Sequence, residues 1–216
     1  MTGNESVRDN ALRTAASLLR SVGFKGMSMA AIAEGVGVSP PALYWHFANK
    51  EELVYELLAE LVSQFNSRVD LILQTKSDPP DQIRDIVIVH TLIQLESPDD
   101  ARLYSSGGLF GQFDDYLTPE HANALRGPLQ WYHQVVRDVI RQGLADGQFV
   151  NVKSPTIAAF AIQSACEFSY LWYDRDGPQS VEEVAATNAD LMLKMLGYVE
   201  PKAPGSAQQK QSNRRR

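Results

Sequence analysis

Residues 28–53 read SMAAIAEGVGVSPPALYWHFANKEEL, and this stretch decides the fold. Ser28 precedes the apolar-periodic run Met29–Gly35 and predicts a helix there, because a serine hydroxyl can accept from an orphan amide of the first turn. Gly37 permits a tight turn, and Ser39 caps a third helix that ends near Phe47. Two short helices joined through a glycine-containing turn form the architecture that lays a recognition helix in the major groove of DNA. Ile32, Val36, Val38, Leu43 and Phe47 would pack the two helices together. Ser39, Pro40, Pro41, Ala42, Tyr44, Trp45 and His46 are then left on the outer face or amino end of the second helix. Three large rings outside a core serve solubility poorly. They suit a surface where a ring and its polar edge both meet a nucleic-acid backbone.

Upstream, Val7, Leu12, Ala15, Ala16, Leu18, Leu19 and Val22 recur at three- and four-residue steps, which predicts an amphipathic helix over 5–22 ended by Gly23. Downstream, Asn49 caps a helix with Glu51 and Glu52 in its first turn, where the helix dipole favours acids. Leu53, Val54, Leu57, Leu58, Leu61, Val62, Phe65, Val69 and Leu73 carry that helix to about Gln74. After the break at Asp78-Pro79-Pro80, helices are expected over 80–95, 99–114 and 119–145, with Gly107-Gly108 weakening the middle one. A turn at Asp146-Gly147 and a start at Ser154-Pro155 lead to helices over 155–174 and 180–197, separated by Asp176-Gly177-Pro178. There is no internal repeat and no strand-like alternation.

The expected class is therefore all-α, with about nine helices. An N-terminal three-helix domain over 1–50 would carry the helix-turn-helix, and 51–200 would form a helical ligand-binding and dimerisation domain. The stretch 201–216, polar and basic after Pro201 and Pro204, reads as a disordered tail.

Charge supports this division. The net charge of −6 splits into +2 over 1–50, −13 over 51–200 and +5 over 201–216. An acidic body with basic ends would meet DNA only at those ends. The single Cys166 excludes an intrachain disulfide framework and a multi-cysteine zinc site, and in its small-residue helical setting it reads as a packing thiol. His46, His90, His121 and His133 show no metal-ligand spacing, and no glycine loop is built to cradle phosphate. No catalytic residue, cofactor or metal is expected. No apolar run spans a bilayer and the first residues lack a signal-peptide core, so a cytoplasmic setting without membrane contact is expected.

From Ala11 to about Leu53 the chain resembles the tetracycline-repressor (TetR) family of transcriptional regulators. The likeness runs through Gly23-Phe24, Ser28–Ala33, Gly37-Val38-Ser39, Leu43–Phe47 and Lys50–Leu53. The resemblance implies that Ser28 and Met29 open the supporting helix near a phosphate, and that Ser39, Pro40, Pro41 and Ala42 face base edges or thymine methyls. It further implies that Tyr44 and His46 bond to phosphates, that Trp45 packs on the sugar-phosphate wall or a base edge, and that Lys50 pairs with a phosphate. Many relatives carry Lys-Gly or Arg-Gly where this chain has Pro40-Pro41, a change that removes a charged base reader.

Readers of this kind act as dimers on half-sites about one helical turn apart, so a palindromic double-stranded operator is expected. Ala158, Ile162, Ala165, Cys166 and Ser169, with Leu191 and Met195, offer small or apolar side chains for a homodimer interface in the last two helices. The resemblance implies the same four-helix arrangement. His90, Tyr104, Phe110, Phe113 and Trp131 supply aromatic and lone polar groups in the middle helices, while Gln163, Glu167 and Tyr170 fall at i, i+4 and i+7. Together they are candidates for an effector cavity, apolar with a few polar groups. The stretch Tyr170–Val184 resembles regulators of lipid and acyl-thioester catabolism, which implies a small hydrophobic or acyl-CoA-type effector. The expected function is a ligand-released homodimeric repressor; the alternative is a ligand-independent or activating DNA-binding regulator.

Overall fold

The computed structural model describes residues 6–96 and 117–198. Among these residues the chain forms eight α-helices and one 3-10 turn, with no strand. The amino-terminal layer holds α1 (Val7–Gly26), α2 (Met29–Val36) and α3 (Pro40–Tyr44), and α4 (Lys50–Thr75) leads out of it. The body holds α5 (Pro79–Glu96), α6 (Pro119–Ala145), α7 (Pro155–Glu167) and α8 (Val181–Leu196). The helix expected over 99–114 and the tail from 201 lie outside the described residues.

The helix starts follow local chemistry. Side-chain oxygens of Ser6, Ser28, Asn49, Thr118, Ser154 and Ser180 each accept an amide of their helix's first turn. Ser180 and Glu183 bond reciprocally, a capping box. Ser39 departs from expectation: its backbone is extended but its side chain makes no cap bond.

Helix ends depart more. Gly23, at φ +70°, breaks the helical run of α1 where its end was expected, and only a short helical stretch to Gly26 follows. α3 stops at Tyr44 rather than near Phe47. The helix expected over 155–174 ends at Glu167, and the chain tightens into a 3-10 turn, Ser169–Leu171. There the Ser169 hydroxyl donates to the Cys166 carbonyl at 2.7 Å, taking an acceptor that a continuing helix would have used.

Two apolar cores result. The first joins Leu12 and Ala15 of α1, Ile32 and Ala33 of α2, Leu43 and Phe47, and Leu53, Val54, Leu57 and Leu58 of α4. Leu117 and Leu125 close it from the amino end of α6. The second gathers Phe65, Val69 and Ile72 of α4 with Ile83, Ile86 and Val87 of α5, Tyr132, Val136 and Ile140 of α6, Ile162 and Cys166 of α7, and Leu193 and Leu196 of α8. α4 and α6 belong to both. Each fully buried Leu or Ile contributes on the order of 1.5–3 kcal/mol, so these two helices bind the layers together through many such side chains.

α5 lies along α8, where Asn188 donates to Thr91 at 3.4 Å and Arg84 reaches Asp190 at 2.6 Å. The Arg175 guanidinium donates to the carbonyls of Leu95 and Glu96, satisfying the end of α5 with a positive group at its negative pole. At the far end of α6, a Cβ on Gly143 would stand 2.3 Å from the Phe149 ring. Glycine is what lets Phe149 fold back over that helix.

Candidate nucleic-acid interface and effector site

The outer helix-turn-helix face is built by alternation between seam and surface. Leu43 and Phe47 are 0% and 1% exposed, whereas Tyr44 is 52% and Trp45 88% exposed, with His46 exposed beside them. Gly37, at φ +79°, makes the turn that brings α3 against α2. Leu43 then enters the seam and its neighbours cannot.

The amino end of α3 has an unusual donor inventory. Pro40 and Pro41 carry no N–H, and the amides of Ala42 and Leu43 both donate to the Ser39 carbonyl, at 2.9 and 3.3 Å. This end therefore presents two pyrrolidine rings, the Ala42 methyl and the Ser39 hydroxyl, and neither proline adds a backbone donor. Apolar contact with a thymine methyl and a single hydroxyl bond are what such a set can make.

Two expected phosphate contacts take other places. Met29 is buried in the first core, so only its backbone faces outward at the start of α2. Ser28, by contrast, is exposed, its oxygen accepting from the Ala31 amide at 3.1 Å with its own hydroxyl hydrogen still to give. Lys50 turns inward. Its Nζ donates to the carbonyls of Phe24 and Met27 at 2.8 and 3.1 Å and stands 4.1 Å from the Phe24 ring centroid. It ties the end of α1 to the start of α4, a part-buried tether that residue type and spacing alone could not show. Lys25, exposed in the last turn of α1, is a cation beside this tether that the motif reading passed over.

In the body, a polar cluster sits within the second core. The His90 Nδ1 lies 2.9 Å from the Tyr132 hydroxyl, and the Gln94 amide nitrogen 3.3 Å from Nε2. With the Gln94 amide donating to Nε2, Nδ1 holds the proton and donates to Tyr132. Burial, with the nearby His133 second, pushes the His90 pKa down to about 3, which keeps the ring neutral. Phe65 of α4 meets both rings edge-on, with centroids 4.7 Å from Tyr132 and 5.2 Å from His90.

The expected effector residues divide accordingly. His90, Gln163 and Glu167 are buried in the body. Tyr132, one residue on from Trp131, is the aromatic that reaches His90, while Trp131 is half-buried on the flank of the second core. Tyr170 sits in the 3-10 turn and does not continue the helical face of Gln163 and Glu167. Tyr104, Phe110 and Phe113 lie outside the described residues. Gln94 was missed, although it lies one helical turn from His90 and the i, i+4 rule would have found it.

The interface residues also divide. Ile162, Cys166 and Ser169 are fully buried within the subunit and cannot face a partner. Burial pushes the Cys166 thiol up to about 12, the behaviour of a packing group. Ala158, Ala165 and Met195 are half-buried, and Leu191 is exposed. Ile157 and Phe160 of α7, absent from the expected set, stand out beside them.

An outer face of rings held out by a buried seam, on a helix that runs on into a helical body, makes this a helix-turn-helix DNA-binding transcription regulator. Family models fall on the same two parts: residues 11–57 match the bacterial regulatory proteins of the tetR family, and residues 76–196 the tetracyclin repressor-like C-terminal domain. The chain belongs to the TetR family. It is 27% identical over 195 residues to the HTH-type transcriptional repressor KstR2 of Mycolicibacterium smegmatis, covering 87% of this chain and 89% of that one. It is 44% identical over 63 residues to the class C tetracycline repressor of Escherichia coli, 29% of this chain and 28% of that protein. The ketosteroid transcriptional regulator KstR2 of Mycobacterium tuberculosis shares the fold at a TM-score of 0.77 and 21% identity, over 91% of this chain and 97% of that one. AibR, solved with isovaleryl coenzyme A and operator DNA, shares it at 0.74 and 23% identity, over 88% and 98%. No helix among the described residues is long and apolar enough to cross a membrane.

Proposed function

We propose that the protein is a homodimeric repressor released from a palindromic operator by a small hydrophobic effector. The observation that carries the reading is the exposed run Tyr44-Trp45-His46, set between the buried Leu43 and Phe47. Tyr44 and His46 offer hydrogen bonds to phosphates, and Trp45 offers a flat apolar face to the groove wall. Ser28 and Ser39 add hydroxyls, and the Pro40–Ala42 edge reads methyl groups.

Release follows from the path of α4. This single helix runs from Lys50, beside the reader, past Phe65, against His90 and Tyr132, a span of about 22 Å at 1.5 Å per residue. An effector that binds the body more tightly in one tilt of α4 shifts the population toward that tilt and changes the separation of the two readers. The likeness to KstR2 regulators and to AibR, named with an acyl-CoA, supports an apolar or acyl-thioester effector. Ile157 and Leu191, 70% and 50% exposed, supply the face for a second copy through α7 and α8.

Selection of random duplex DNA on the immobilised protein tests the reader. A two-fold symmetric sequence should emerge with the wild type, and the Tyr44→Ala/His46→Ala variant should enrich none. Enrichment of the same sequence by that variant would sink the proposal. A reporter behind the selected sequence then separates repressor from activator, since deletion of the protein raises expression in the first case and lowers it in the second.

A further inference from the structure

The amino-terminal fifty residues carry five cations, Arg8, Arg13, Arg20, Lys25 and Lys50, and the fold engages four of them. Arg8 reaches Glu56 at 2.5 Å and lies 3.9 Å from Asp9. Arg13 bonds to the Asn10 side chain, and Arg20 is likewise engaged. Lys50 gives its ammonium to the carbonyls of Phe24 and Met27. Lys25 is the exception. It is exposed, and among the described residues it makes no ion pair or hydrogen bond. A duplex reader draws the salt-dependent part of its affinity from cations seated on phosphates, and Lys25 is the one the fold leaves free to sit there.

Position adds to charge. Between Phe24 and Ala30 the chain divides its side chains between core and solvent. Phe24 packs on the first core and Met27 and Met29 are buried, whereas Lys25, Ser28 and Ala30 are exposed. The two carbonyls that Lys50 holds flank Lys25, and the Met27 amide donates to the Gly23 carbonyl at 3.1 Å, so the backbone beneath the lysine is pinned from both sides. Ser28 stands three residues on, at the start of the first helix of the helix-turn-helix. In this architecture that helix crosses the phosphate backbone while the second enters the groove. Three residues extend at most about 11 Å, so the lysine side chain reaches the same strand that Ser28 meets. The acid of α2, Glu34, lies at the other end of the helix, which leaves the end beside Lys25 the more positive.

We infer that Lys25 is the lysine that pairs with a DNA phosphate in each reader, the place that Lys50, turned inward, leaves open. The inference rests on the helix-turn-helix as the DNA-binding face and not on any effector. Seated on a phosphate, Lys25 releases condensed counterions and so sets how steeply affinity falls with salt. It fixes the register of α2 on the strand and adds no preference among bases.

Salt titration of DNA binding by the full chain tests it, on the duplex selected with the wild-type protein and on a random-sequence duplex. Lys25→Gln should weaken binding to both, several-fold at low salt, and make log affinity against log salt shallower by about one unit per subunit bound. Lys25→Arg should restore both values. The Tm of Lys25→Gln should stay within about 2 °C of the wild type, since only a charge at the end of α1 is lost to the fold. Lys194→Gln removes the same charge from the last helix of the body and should leave the slope unchanged. A wild-type slope in Lys25→Gln, an equal loss of slope in Lys194→Gln, or no restoration by Lys25→Arg overturns the assignment. Tyr44→Ala/His46→Ala keeps this inference apart from the reader itself. If that variant binds the selected duplex like the wild type, the helix-turn-helix reading falls and the inference with it. If it fails to bind while Lys25→Gln keeps the wild-type slope, the reader stands and Lys25 has no part in it.

Discussion

Lys50 shows how one side chain can brace a DNA reader from within the fold. Its ammonium donates to the carbonyls of Phe24 and Met27, so it fixes the loop that aims α2. Hydrogen bonds from a charged group to part-buried carbonyls are worth roughly 1.5–3 kcal/mol, more than an exposed phosphate pairing in salt. Lys50→Met should therefore lower the unfolding free energy by about that amount. Operator affinity would fall through disorder of the reader, while the slope of log affinity against log salt stays unchanged. A phosphate-bound lysine gives the opposite result, little change in stability and a salt slope shallower by about one unit.

At the scale of elements, α6 does the work of a strut. Leu125 near its start closes the core of the reader, and Tyr132 two turns on lies in the core of the body. Between them Pro128 interrupts the helix, and its carbonyl accepts the Asn66 amide of α4 at 2.9 Å. The proline removes one backbone bond, and the Asn66 clasp holds α4 and α6 together at that weak point. Leu125→Ala should cost about 2–5 kcal/mol, although it lies about eighty residues or more from α1–α3 along the chain. Hydrogen exchange should show protection lost first in α1 to α3. Loss confined to α6 would mean that the strut carries no load.

The helix starts were legible in the sequence because a cap is a local event. Ser28, Asn49, Ser154 and Ser180 each stand beside the amide they accept. The end of α7 was not legible, since no glycine or proline marks it. Ser169 ends the helix by turning its hydroxyl back to Cys166 inside the body. Periodicity likewise identified the apolar stripe of Ile162 and Cys166 but not what it faces, because a core and a partner helix ask for the same residues. The reader was the most legible part, its seam and outer face alternating within one short stretch. The buried polar cluster of the body was the least, since His90, Tyr132 and Phe65 come from three helices and only packing brings them together.

Over the whole molecule, the outward apolar side chains of α7 and α8 set the scale of assembly. Ile157 and Leu191 leave large apolar surfaces in water, and pairing with a second copy would remove them. Ile157→Glu/Leu191→Glu should convert a dimer to a monomer by light scattering. Operator affinity should drop at least tenfold, since each subunit then reads one half-site alone. An unchanged mass would move the interface elsewhere.

The shared first core also bears on how such proteins can be recombined. A chimera that takes only residues 1–50 from this chain would seat its α1 to α3 on a foreign Leu57, Leu58, Leu117 and Leu125 equivalent, a mismatch at the joint rather than in either half. A transplant of DNA specificity that stays folded would carry the first half of α4 and the opening turns of α6 with it. The outer edge from Ser39 to His46 can be exchanged alone, because among its residues only Leu43 enters the seam. Swapping operators is then a matter of a few surface positions, and swapping domains is a matter of two struts.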